Sequence, residues 1–184
     1  MPENTDFELV KRFLDGDESS FFRLINKYQQ KIYWHARRMT GSHLDADEVV
    51  QEVLLVLYHK LKDFQFKSSL YTWIYRITST RSINYLNKRK LKRILYFDDI
   101  NTAETGTKED IVDDIDIKDK IKKLDQFLQI LPAKQREIFI LRNVDGLSYD
   151  EISEITGKSI GGLKSNYFHA INKISEMMKN EFEE

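Results

Sequence analysis

Apolar residues Phe21, Leu24, Ile25, Tyr28, Ile32, Ala36 and Met39 recur at three- and four-residue steps, the spacing of one face of an α-helix. The run follows a turn signal, Asp15-Gly16-Asp17, and stops at Thr40-Gly41-Ser42. A second stripe starts near Leu44 and passes through Val49, Val53, Leu57 and Leu61, with Val50, Leu54, Leu55 and Tyr58 spread around it. A helix apolar over so much of its circumference is central to a bundle or keeps one face for a partner. After Phe64-Gln65-Phe66-Lys67, Ser68 is placed to cap a third helix reaching about Arg93.

The pattern lapses in DDINTAETGTKEDIVDDIDIKDK, residues 98–120, which is acidic and has no sustained stripe. It reads as a mobile linker. Periodicity returns from 121 onward. Pro132 suits a first helical turn, Gly146 breaks the chain, and Ser148 with Glu151 forms a capping box. Gly157 suits a left-handed C-cap and Ser159 can cap one more helix, so two short helices about a tight turn predict a helix-turn-helix. On the last helix Leu163, Tyr167, Ala170, Ile171 and Ile174 make the core stripe, while Lys164, Ser165, Phe168, His169 and Asn172 face away. The expected fold is all-α: two small helical domains, residues 1–97 and 121–184, joined by the acidic linker.

Composition agrees, with 41% hydrophobic residues, seven glycines and two prolines. The absence of cysteine excludes disulfides, thiolate zinc sites and thiol nucleophiles. The start, MPENTDFELV, is acidic where a secretion signal is basic, and the apolar run Val53 to Tyr58 is too short to span a bilayer. A cytoplasmic protein without membrane insertion is expected. Net charge of -1 conceals opposed segments: 17 Lys/Arg against 11 Asp/Glu in residues 1–97, 3 against 9 in 98–120, and 9 against 10 in 121–184.

The cations concentrate where acids are absent. Between Arg76 and Arg93 stand Arg76, Arg81, Lys88, Arg89, Lys90, Lys92 and Arg93 without one carboxylate, a pattern that suits phosphates and equally a solvated helix end. Just upstream lie Phe64, Phe66, Tyr71, Trp73 and Tyr75. Such aromatics serve cores as readily as nucleobase platforms, but beside the cations they suggest single-stranded or melting DNA. In the helix-turn-helix, Gly161 and Gly162 keep bulk low while Lys164 and Ser165 supply donors, as a helix entering a major groove requires. No catalytic motif competes. The four histidines lack metal-ligand spacing, and DADE at Asp45–Glu48 is better explained as a helix's acidic first turn than as a cation site. No enzyme activity and no cofactor are expected.

Together these segments resemble the extracytoplasmic-function (ECF) sigma factors, a branch of the sigma-70 family. DADEVVQEVLLVLYHKLKDF resembles the helix by which domain 2 grips the β′ coiled coil of RNA polymerase; SSLYTWIYRI and RSINYL resemble its promoter-melting and minus-ten segment; LPAKQREIFILRNVDGLSYDEISEITGKSIGGLKS resembles domain 4, which reads the minus-thirty-five element. The resemblance implies core RNA polymerase, through its β′ and β subunits, and promoter DNA as partners, with an anti-sigma protein as a further candidate. Asp47, Glu48, Gln51 and Glu52 would meet β′. Phe64, Phe66, Lys67, Ser68, Ser69 and Leu70 would form the loop that captures a flipped base, with Tyr71, Trp73 and Tyr75 supporting the melted strand. Arg76, Arg81, Lys88 and Arg89 would hold phosphates; Ser159, Gly161, Gly162, Lys164 and Ser165 would approach minus-thirty-five DNA. The linker would run through the polymerase's RNA path. Phe66 replaces the usual loop glycine, Thr80 the usual asparagine, Gly162 a small hydroxyl residue, and Asn166 and His169 two arginines, so base-pocket shape and minus-thirty-five preference are expected to differ. The rival readings are a stand-alone helix-turn-helix regulator of duplex DNA and a helical adaptor protein.

Overall fold

A computed structural model describes residues 5–95 and 115–182, and every regular element among them is helical. Helix α1 (Asp6–Leu14), which the apolar pattern did not announce, is closed by a reciprocal box between Thr5 and Glu8. Helix α2 (Glu18–Thr40) opens on Asp17, whose carboxylate accepts the Ser19 N–H at 3.0 Å, and ends on Gly41 at φ 80. Helix α3 (His43–Lys60) is capped by Ser42 and followed by a tight turn, Leu61–Asp63. Helix α4 (Leu70–Leu95) completes the first domain. Its cap is Ser69, whose Oγ accepts the Thr72 N–H at 3.0 Å, rather than the expected Ser68; two adjacent serines offered the same signal.

Every residue of the first predicted stripe is buried, as are Val49, Val53, Leu57 and Leu61 of the second. All of these except Met39 meet Leu70 and Ile74 of α4 in one apolar core, the layer that holds α3 and α4 side by side.

Helices α5 (Ile115–Ile130) and α6 (Ala133–Phe139), a wide turn at Ile140–Val144, α7 (Tyr149–Thr156) and α8 (Ile160–Phe182) form the second domain. Pro132 immediately precedes α6. The Ser148–Glu151 box closes the start of α7, and Gly157 at φ 70 ends it. Leu163, Ala170 and Ile174 are buried on α8. Most of the segment read as a linker, residues 98–114, lies outside the described residues; its last residues, from Ile115, belong to α5.

The second domain sits directly on the first. Met39 of α2 packs among Leu128, Leu131, Phe139, Ile140, Ala170 and Ile174, with Ile83 and Leu86 of α4 at the margin. Tyr75 of α4 joins Ile138, Leu141, Leu147, Ile152, Ile155 and Leu163. Arg136, itself buried, donates to the carbonyls of Met39, Gln129 and Leu131. Gln129 Nε2 donates to the Arg38 carbonyl at 3.0 Å. The last carbonyls of α2, which the helix itself cannot satisfy, thus find donors in the other domain.

Candidate nucleic-acid and partner interfaces

Helix α3 turns one face to the core and an opposite stripe to water. Leu44 (78% exposed), Glu48, Gln51, Leu55 (62%) and Tyr58 (41%) follow one another at four- and three-residue steps along it. Asp47, beside His43 Nε2 at 3.5 Å, and Glu52 flank this stripe, half-buried. The four residues predicted to meet a polymerase are therefore brought together on one helix face. Large apolar groups held in water there add an interaction motive. Sequence reasoning missed Leu44 and Leu55 because an all-round apolar helix does not reveal which side stays wet.

The loop before α4 is built on aromatic packing. Phe64 is buried, Phe66 is 43% exposed, and their rings lie 4.7 Å apart; Phe7 covers Phe66 at 4.9 Å and Trp73 meets Phe64 at 5.3 Å. Phe66 adopts φ 55, the one non-glycine residue with positive φ among those described. The left-handed backbone costs a side chain about 1–2 kcal/mol, set against the contacts of the Phe66 ring with the tilted rings of Phe7 and Phe64. Lys67 and Ser69 are exposed on the rim, with Ser68 half-buried. Phe64 and Leu70, expected in the base-capturing loop, are buried in the core in this structure.

Tyr71 and Tyr75 pack ring to ring at 4.4 Å. Burial raises both hydroxyls above the usual tyrosine range, and the nearby Asp145 carboxylate raises that of Tyr75 further, so Tyr75 remains a donor. Helix α2 adds residues that the sequence did not single out: Lys31 Nζ lies 5.1 Å from the Tyr71 ring and the Arg38 guanidinium 5.3 Å from Trp34. These side chains line an open cleft of about 440 Å³, to which Val144 and Asp145 of the second domain also contribute. Tyr75 itself is buried beneath that domain, so the aromatic row is only partly open to solvent.

The basic run is acid-free in sequence but not in space. Arg81 and Lys88 each reach Glu52 of α3 at 3.9 Å. Arg89 bonds Asp45, which also accepts the Tyr85 hydroxyl at 2.7 Å. Asp45 is thus committed to α4, and no metal-ligating cluster occurs among the described residues. Arg76 Nε donates to the Glu154 carbonyl at 3.1 Å. Lys90, Lys92 and Arg93 are exposed.

On α8, Ser159 Oγ accepts the Gly162 N–H at 3.3 Å. Space beside Gly161 is open, with nothing within 4 Å of where a Cβ would stand. Lys164 and Ser165 are exposed beyond it, and Phe168 (61%) and His169 extend the same outward face. Asn166 turns its amide back to the Gly162 carbonyl at 2.8 Å.

Comparison with known proteins fits both halves of this arrangement. The sigma-70 region 2 family matches residues 24–92, and the sigma-70 region 4 family residues 121–174. The ECF RNA polymerase sigma-E factor of Haemophilus influenzae is 30% identical, with 97% of this chain and 96% of the relative aligned. That of Escherichia coli K12 is 31% identical over 95% of each chain. In fold, the chain is similar to CnrH in its complex with the cytosolic domain of CnrY (TM-score 0.69, 19% identity, 94% of this chain and 96% of that one). It is equally similar to the sigma factor RpoE of Bartonella quintana, solved with the anti-sigma factor NepR (TM-score 0.69, 24% identity, 86% and 96% covered). Two sigma regions in order, with full-length relatives at this identity, settle the kinship: the chain belongs to the ECF branch of the sigma-70 family of RNA polymerase sigma factors.

Proposed function

We infer that this chain acts as a dissociable specificity subunit, binding core RNA polymerase, recognising a promoter with both domains and assisting strand opening. The observation that carries the reading is the presence of both sigma regions, in order, in a chain aligned almost end to end with ECF sigma factors. Residues 1–97 would serve polymerase binding and the minus-ten region, residues 121–184 the minus-thirty-five element, with the acidic stretch between them. The α3 stripe with Asp47, Glu48, Gln51 and Glu52 is the proposed polymerase contact. The Phe66 loop, Tyr71, Trp73, Tyr75 and the α4 cations are the proposed strand site, and Ser159, Gly161, Gly162, Lys164 and Ser165 the duplex-reading end of α8. The chain makes no phosphodiester bond itself, needs no cofactor and works in the cytoplasm. Solved relatives carry CnrY and NepR, which makes an anti-sigma protein a reasonable further partner.

The test is co-elution with sigma-free core polymerase, comparing the natural chain with a Gln51→Ala, Leu55→Ala variant. Tight binding by the first and loss by the second is expected. Absence of binding at moderate salt, together with stable sequence-specific binding of duplex DNA by the protein alone, would favour a stand-alone regulator.

A further inference from the structure

Helix α1 precedes the residues that the sigma-70 region 2 family matches, 24–92, yet it reaches the loop before α4. Phe7, in its first turn and 56% exposed, sets its ring against that of Phe66 at a tilt of 55°. Behind Phe66 the contacts continue through Phe64 to Trp73, at 4.7 and 5.3 Å, so that a row of rings runs from α1 to α4. Among the described residues, none makes a hydrogen bond to Gln65, Phe66, Lys67 or Ser68. A φ of 55 is nonetheless a conformation that a bulky side chain seldom holds unaided. Phe7, by contrast, is firmly seated. Its neighbour Asp6 accepts from Lys27 Nζ at 2.6 Å and from the Tyr28 hydroxyl at 2.5 Å, Leu9 and Val10 are buried in the core, and the Thr5–Glu8 box closes the start of the helix.

We propose, resting on the strand-site reading, that Phe7 is a positioning residue of that site: its ring holds Phe66 in the left-handed turn, so that the exposed part of the Phe66 ring is offered to an unpaired base. Among the described residues, Phe66 is the one aromatic ring that Phe7 meets, and with more than half of Phe7 in water its packing is directed at the loop rather than at the core. The ligand class follows from the chemistry of the rim. A partly exposed aromatic ring takes the π-face of a nucleobase that has left the duplex, and exposed Lys67 beside it suits the adjoining phosphate. Glycine would hold the same φ without help. Phe66→Gly therefore removes the ring while sparing the turn, and it also removes the need for Phe7.

The test uses holoenzyme assembled from core polymerase and the full chain, mixed with a pool of duplexes randomised over the promoter region. Heparin-resistant complexes are recovered and sequenced, which reads the base preference at every position. Phe66→Gly should change the preference at one position of the unpaired stretch by about fivefold, the worth of one weak base–aromatic stack. Phe7→Ala should shift the same position in the same direction by about threefold, and should add nothing in the Phe66→Gly background. Phe7→Leu, which keeps an apolar side chain and removes the ring, should shift it likewise and carries the test if the alanine variant fails to fold. A Phe7 variant that lowers recovery evenly over all sequences, or that acts as strongly in the glycine background, overturns the positioning role and leaves the strand-site reading standing. Preferences unchanged by Phe66→Gly overturn the proposal together with the strand-site reading of this loop.

Discussion

Arg136 shows how far one side chain can reach between domains. Its guanidinium donates to Met39, Gln129 and Leu131 carbonyls and to Gln129 Oε1. Burial pushes its pKa down to about 10, still well above neutrality, so the group remains a cation. Arg136→Ala leaves several carbonyls without a donor and should cost about 3 kcal/mol, read as a lower urea midpoint; Arg136→Lys should recover less than half, because an ammonium cannot span the same acceptors. A loss under about 1 kcal/mol would mean that water replaces the guanidinium. Trp73 poses a different question, since it is half-buried against Phe64. Trp73→Leu keeps an apolar side chain there while removing the indole face. It should slow strand opening, followed by permanganate reactivity, and leave initial promoter binding unchanged. Equal damage to both steps would make Trp73 a packing residue only.

Elements were legible in the sequence wherever their signals were local. Ser148, Gly157 and Ser159 act as caps where turn chemistry predicts them, and Asp17 and Ser42, expected only as parts of turns, prove to cap α2 and α3. The start of α4 shifted by one residue because Ser68 and Ser69 both qualify, and α1 went unnoticed because only Leu9 and Val10 of its nine residues are buried. The pairing of Glu52 with Arg81 and Lys88, and of Asp45 with Arg89, was not legible at all; no periodicity reports which faces of two separate helices meet. Gly41 links a local signal to a distant contact. Its φ of 80 already favours glycine, and a Cβ there would stand 2.4 Å from Gln129 Cδ. Gly41→Ala must therefore strain the cap and displace the amide that donates to Arg38. A loss of about 1–2 kcal/mol from the backbone alone is expected, read as a lower urea midpoint. By contrast Ser148→Ala should cost about 1 kcal/mol without affecting the Gln129 contact.

At the scale of the whole molecule, charge is arranged in two tiers along α4. Arg81, Lys88 and Arg89 lean on acids of α3, whereas Lys90, Lys92 and Arg93 project beyond them. Each phosphate neutralised by a cation adds about 0.9 to the salt slope of duplex binding. If the outer tier makes the phosphate contacts, removing Lys90, Lys92 and Arg93 together should lower the slope of holoenzyme–promoter binding by about 2–3. Arg89→Ala should lower it by well under 1, because its guanidinium already has a carboxylate partner and contributes less to the counterion-releasing surface. Asp45→Asn provides the opposite perturbation: it frees Arg89 and removes a nearby negative charge, so promoter affinity should rise, most at low salt. Anisotropy of a labelled promoter fragment titrated across a salt series measures all three. A full decrement from Arg89→Ala with none from the triple variant would reverse the assignment. The α3–α4 ion pairs would then open on DNA binding, and Glu52 would be released from Arg81 and Lys88 at the same moment that promoter DNA is engaged, coupling the polymerase-facing helix to the strand-facing one.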